Sequence, residues 1–271
     1  LPGLAIGMEE LGQLKNGAEA RSKLEPLVVH YKAWIASQKN KIGHLNANRK
    51  ATAIDMLVDA ETAAARIQSG IDLLGDDTKP EVLDAFRIAN RAMARSARRR
   101  QWISVGKAKT PAAMDAPKWR PFQLAYLLMT LRGLAEPTHA DREEVDLLFF
   151  PTGGGKTEAY FGLAAFTIVL RRLRNPGIRS AGMTVLMRYT LRLLTLDQLG
   201  RASALMCALE LERKQLTDNR LGKWPFEIGL WVGQAATPNR MGGKGQPDSD
   251  CVTAYCKTMR FKKNGKSNPS P

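Results

Sequence analysis

An α/β fold is expected for this chain: an all-helical module over residues 1–105, a linker at 106–118, and an incomplete parallel sheet within 119–271. Three features carry that expectation. Before residue 105, apolar residues recur at spacings of three and four, which places them on one face of a helix. After residue 118, apolar runs of strand length alternate with stretches of helix length. One of those runs, Val145 to Phe150, leads directly into a glycine-rich segment ending in Lys156-Thr157.

The elements follow in order. Leu24, Leu27, Val28, Tyr31, Trp34 and Ile35 form the stripe of a first helix. Ile54, Leu57, Val58, Ala64, Ile67, Ile71 and Leu74 form that of a second, which should stop near Gly75. A third is expected to be capped by Thr78, with Glu81 reaching back and Pro80 in the first turn, where its missing donor costs nothing. Its apolar face is Val82, Phe86, Ala89 and Met93. The helix ends in Arg91, Arg95, Arg98, Arg99 and Arg100, with Trp102 just beyond. Such a cluster is either a solvated, dipole-favoured helix end or a contact with nucleic-acid phosphates. Beyond the linker, Trp119 to Ala135 reads as a short helix and 145–150 as a first strand. A helix from Thr157 to Leu173, a strand at 184–187, a long helix to about Lys214 and a strand at 226–232 complete the alternation. Residues 233–271 are rich in Gly, Pro, Asn, Ser and Lys and read as a basic, flexible segment.

Composition narrows the class. Hydrophobic residues make up 44% and charged residues 25% of 271 residues, the balance of a globular protein with a real core. Lys and Arg number 41 against 26 Asp and Glu, a formal net charge of +15. That excess attracts polyanions, nucleic acid first among them, although a basic surface that only confers solubility has the same composition. Three cysteines are too few for a disulfide framework, and neither a secretory signal nor an apolar run of spanning length is visible. A cytoplasmic protein without membrane attachment is expected. The chain opens at Leu1 and stops in a polar tail, as a piece of a longer protein would.

The chemistry lies in Pro151-Thr152-Gly153-Gly154-Gly155-Lys156-Thr157-Glu158. A strand before it and a helix after it are the setting that a phosphate-binding loop requires. Glycines let the backbone turn its N–H groups inward toward phosphates. Lys156 would set an ammonium against the β- and γ-phosphates of ATP, and Thr157 would place its hydroxyl on Mg²⁺. The helix N-terminus adds its positive dipole end. The general pattern has Gly or Ala five residues before Gly155, where this chain has Phe150.

The Pro-Thr-Gly-x-Gly-Lys-Thr core resembles that of superfamily 2 helicases. So does Arg120-Pro121-Phe122-Gln123 upstream, which matches their Arg-x-aromatic-Gln signature. The resemblance implies a RecA-like first helicase lobe, an aromatic ring (Phe122) near the adenine and Gln123 at its edge. A glutamine amide suits that task because it both donates and accepts. On the plainer reading, Phe122 and Gln123 only cap a helix. Arg188, Tyr189, Thr190 and Arg192 stand where that superfamily contacts the nucleic-acid backbone; the alternative is an ordinary helix start.

The wording of residues 149–160, 162–167, 185–195 and 228–233 resembles, more narrowly, the helicase-like DrmA family of the bacterial DISARM anti-phage system. That resemblance implies an ATP-dependent protein acting on phage DNA, single-stranded or duplex with an overhang. It also implies a DrmB partner and a DNA methyltransferase in the wider system. No apolar strand ending in Asp-Glu follows Thr157, so nucleotide binding is expected of these residues and efficient hydrolysis is not. A nucleotide-gated binding module without processive unwinding is the alternative to a motor. Cys251 and Cys256 read either as half a zinc site or as two plain loop thiols.

Overall fold

The computed structural model describes residues 1–107, 110–151, 153–189, 192–230, 240–247 and 249–264. Its helices are α1 (Met8–Leu11), α2 (Gly17–Lys39), α3 (Ala47–Leu74), α4 (Pro80–Ser104), α5 (Pro121–Ala135), α6 (Lys156–Arg174), α7 (Arg192–Gln215) and α8 (Ala254–Asn264). The first seven belong to a compact unit of residues 1–227, and α8 lies in a second unit of residues 228–271.

Helix starts follow from local capping. The Asn16 side chain accepts the Glu19 N–H at 2.9 Å to open α2, and Asn46 accepts that of Arg49 at 3.1 Å to open α3. Gly75 closes α3 where the sequence stripe ends. For α4 the expected cap is corrected. Lys79 is the N-cap residue, the Thr78 hydroxyl turns back to Asp76 at 2.6 Å, and Glu81 pairs with Arg174 at 3.0 Å. Pro80 does occupy the first turn.

The stripes on α2 to α4 bury one core with α5 and α6. Leu24, Ile71, Phe86, Leu124, Leu128 and Phe166 are all fully buried in it. The tightest approach is between α3 and α5, where a Cβ on Gly70 would lie 1.9 Å from the Leu128 carbonyl oxygen. Only glycine lets these two backbones pass so close. At the centre, the Trp119 indole donates to Asn90 Oδ1 at 2.7 Å, and Asn90 Nδ2 donates to the Phe86 carbonyl at 2.8 Å. A buried amide is thereby satisfied at both ends. The N-terminal half of α3 departs from its stripe. Ile54 and Val58 are exposed, because that end of the helix packs through Leu57 against Ile35 of α2 and the following Ile42 in a small satellite cluster.

The expected RecA-like parallel sheet is not there. Among the described residues no strand forms; a lone antiparallel bridge joins Gly7 to Lys118. The apolar run at 145–150 forms no strand, with Val145, Leu147 and Phe149 at least 87% exposed, and the Phe149 N–H donates to the Leu147 carbonyl at 3.2 Å. Asp146 holds it instead, accepting both Nη groups of Arg66 on α3 at 2.5 and 2.9 Å. At 184–187 the neighbouring carbonyls are taken by a side chain: Arg171 donates to the carbonyls of Ala181 and Met183, each at 3.0 Å. The third run begins beside the buried Arg172, which donates to the carbonyls of Trp224 at 2.6 Å and Pro225 at 3.0 Å. Residues 231 and 232 of that run lie outside the described residues. The physical reason is partnership. A strand is stabilised by ladder bonds to another strand, and here helices close the core while arginines satisfy the loop carbonyls.

Two expectations for the C-terminal segment also change. Residues 254–264 form α8 rather than a loop, and Cys251 and Cys256 are joined in a disulfide, a pairing that neither sequence reading anticipated. Among the described residues no helix is long and apolar enough to cross a membrane, and no cluster of three metal-ligating side chains occurs.

Candidate nucleotide-binding site

The glycine-rich loop opens α6. Gly155 is its N-cap residue, with φ of +86°, a left-handed conformation that side chains rarely adopt. A Cβ there would also lie 2.7 Å from Gln123 Nε2, so close packing adds to the demand for glycine. Lys156 is the first residue of α6 and curls back so that its ammonium donates to the carbonyls of Phe150 and, at 3.3 Å, Pro151. Thr157 and Glu158 follow in the first turn, at the positive end of a 19-residue helix. Thr152 lies outside the described residues.

Three fastenings hold this loop to the start of α5. Arg120 Nη1 donates to the Gly154 carbonyl at 2.8 Å. Gln123 Nε2 donates to the Gly155 carbonyl at 2.7 Å, while its Oε1 accepts the Arg120 N–H at 2.8 Å. Phe122 stacks on Phe150, ring centroids 3.9 Å apart and planes 10° from parallel. Gln123 therefore caps α5 and touches the loop with the same amide. The residue order Arg-Pro-Phe-Gln is brought against the loop from about thirty residues upstream in the sequence. Phe150, the departure from the general loop pattern, has a structural use here: its ring covers the face of Phe122.

The residues that could hold a phosphate chain and its metal are Lys156, through its ammonium, and Thr157, through its hydroxyl. The side chains of Phe150 and Gln123 lie against Gly154 and Gly155 respectively, each 2.7 Å from where a Cβ would stand.

A further group reaches the site that the sequence reading did not connect to it. Glu158 Oε1 accepts Arg100 Nη1 at 3.0 Å and Arg201 Nη2 at 2.5 Å. These cations come from the last turns of α4 and from α7. Tyr189 lies close by: burial pushes its phenol pKa up, with Arg201 pulling it down and Tyr160 adding to the rise. Arg188 is exposed; Thr190 and the Arg192 side chain lie outside the described residues. Separation in sequence hid this junction, although a carboxylate directly after Lys156-Thr157, in a chain so rich in arginine, was a visible signal.

The arginine cluster of α4 is largely engaged by partners within the protein. Arg91 and Arg95 both pair with the buried Glu212 on α7, at 2.7 and 3.2 Å. Arg98 grips Glu9 of α1 with two bonds, at 2.6 and 2.8 Å. Arg99 lies over the Trp102 ring, 5.7 Å from its centroid. Four of the five arginines thus tie α4 to other elements.

With this geometry in hand, comparison with known proteins gives one clear relationship. No protein-family model matches the chain. It is similar to the DISARM protein DrmA of Bacillus paralicheniformis, with 34% identity over 248 residues. Those residues cover 89% of this chain but only 22% of the Bacillus protein. The resemblance read from the loop and its neighbouring segments is therefore shown: the chain is a relative of the DISARM protein DrmA, corresponding to about a fifth of its length.

Proposed function

We propose that this chain is the nucleotide-binding part of a DISARM anti-phage component, taking MgATP at Pro151 to Thr157 and meeting DNA on its basic surface. The observation that carries the reading is the fastening of Arg120, Phe122 and Gln123 onto the loop that Lys156 closes. In it Lys156 neutralises the β- and γ-phosphates and Thr157 ligates Mg²⁺, while Phe122 and the buried Gln123 hold the loop in place rather than reading the base. DNA contact rests on the exposed Arg188, on Tyr189 and on the net charge of +15. A DrmB-like partner belongs to the same reading.

Titration with a fluorescent ATP analogue tests it. Saturable, Mg²⁺-dependent binding is expected, weakened at least tenfold, or about 1.4 kcal/mol, by Lys156→Ala. Equal binding by the variant sinks the proposal. Salt-dependent association with DNA is the companion measurement, since phosphate contacts release counterions. A second reading, a nucleotide-gated switch rather than a motor, is favoured by the link from Glu158 into α4 and α7.

A further inference from the structure

We infer that Glu158 is a positioning residue that transmits occupancy of the phosphate loop to α4 and α7. The inference rests on the nucleotide reading of the loop and extends it from binding to signalling.

One carboxylate oxygen, Glu158 Oε1, is shared by two guanidinium groups, Arg100 of α4 and Arg201 of α7. Its second oxygen faces the loop: a Cβ built on Gly155 would lie 3.5 Å from Oε2. The same side chain therefore sits against the loop that is to receive phosphate and against both of its neighbouring helices. Arg201 is also held over the Phe161 ring of α6, 5.6 Å from the centroid, and Arg100 is the last of the α4 arginines before the helix ends. The two cations thus converge on one carboxylate whose other oxygen lies beside the loop.

Arrival of a phosphate chain puts several negative charges beside the Glu158 carboxylate. Like charges at this range repel, and in a partly buried site the repulsion is weakly screened. The phosphates also compete for the two guanidinium groups, for which charge-assisted bonds to phosphate are a strong alternative. Either response loosens the shared bridge, and α4 and α7 lose one of the links that hold them to α6. Because Arg91 and Arg95 hold α4 to α7 through Glu212 farther along, the two helices are expected to respond together.

Hydrogen exchange of the intact chain, with and without Mg·ATPγS, tests this in wild type, Arg100→Gln and Arg100→Lys. Binding of a fluorescent ATP analogue is measured on the same samples. In wild type, nucleotide should change exchange in residues 96–104 by about fivefold, the low end of ordinary coupling between sites. Arg100→Gln should still bind nucleotide but lose that response, and Arg100→Lys, which keeps the cation, should retain most of it. A structural role alone would alter basal exchange without abolishing the nucleotide-dependent difference. The inference is overturned if wild type binds nucleotide with no change in residues 96–104, or if Arg100→Gln responds as wild type does. Absence of binding in wild type would instead bring down the nucleotide reading itself.

Discussion

The helical core and the apolar run at 145–150 are made from the same kinds of residue, yet they end in opposite environments. Leu124, Leu128 and Phe86 are wholly buried, whereas Val145, Leu147 and Phe149 are almost wholly exposed. Local period accounts for the difference. A stripe at spacings of three and four needs only one neighbouring helix to bury it, and α2 to α6 provide such neighbours in succession. A short extended run needs a ladder of backbone bonds from a second strand before its side chains gain a surface. Among the described residues no such strand is present, and Arg66, Arg171 and Arg172 restrain the runs or their flanks instead.

That contrast can be broken by mutation, most strongly in the core. Phe86→Ala should cost about 4 kcal/mol in urea unfolding, as expected for an emptied aromatic site. A loss under 1 kcal/mol would show that the α4 face is not the centre of the core. Gly70→Ala comes next, at about 3 kcal/mol, because α3 and α5 must separate to admit the methyl group. An unchanged midpoint would mean that the close approach is wrong.

Acid titration sharpens the comparison by probing the ion pairs around the helices. Glu136, Glu210 and Glu9 are held below the usual carboxylate value of 4.5, chiefly by hydrogen bonds from Lys79, Arg213 and Arg98 respectively. A depressed folded-state pKa stabilises above the unfolded value and is lost as pH falls through the folded one. The melting temperature should therefore hold from pH 7 down to about 5 and drop below about 4.5. Glu210→Gln should flatten part of that drop, and a fall already complete at pH 6 would contradict the assignment. Smallest of all, Leu147→Ser should change stability by less than about 0.5 kcal/mol, since the side chain already faces solvent. A larger loss would show that the run is covered in solution.

The helices were legible because each carries its own evidence. Spacing placed α2 to α4, and Gly75 marked an end; Pro80 marked a start, although the cap itself went to Lys79. The sheet was misread because an apolar run such as Val145 to Phe150 states that it is extended and apolar but not what pairs with it. Helix α8 is hidden in the sequence because it is short and set in a stretch rich in Gly, Pro, Asn, Ser and Lys. At the candidate site, residue order brought Arg120, Phe122 and Gln123 to the loop. The meeting of Arg100, Glu158 and Arg201 depends on how three helices cross, which no local pattern encodes. The arginines of α4 were ambiguous for the same reason, since their partners Glu9 and Glu212 lie far away in sequence.

The stack of Phe122 on Phe150 has a thermodynamic consequence for the loop. A glycine-rich segment free in solution would surrender much backbone entropy on closing around a ligand. Here the ring at 150 and the bonds from Arg120 and Gln123 join the loop to α5 before any ligand arrives. Much of the ordering is then complete when the chain folds, so a ligand taken at this loop would meet less of that entropic cost on binding.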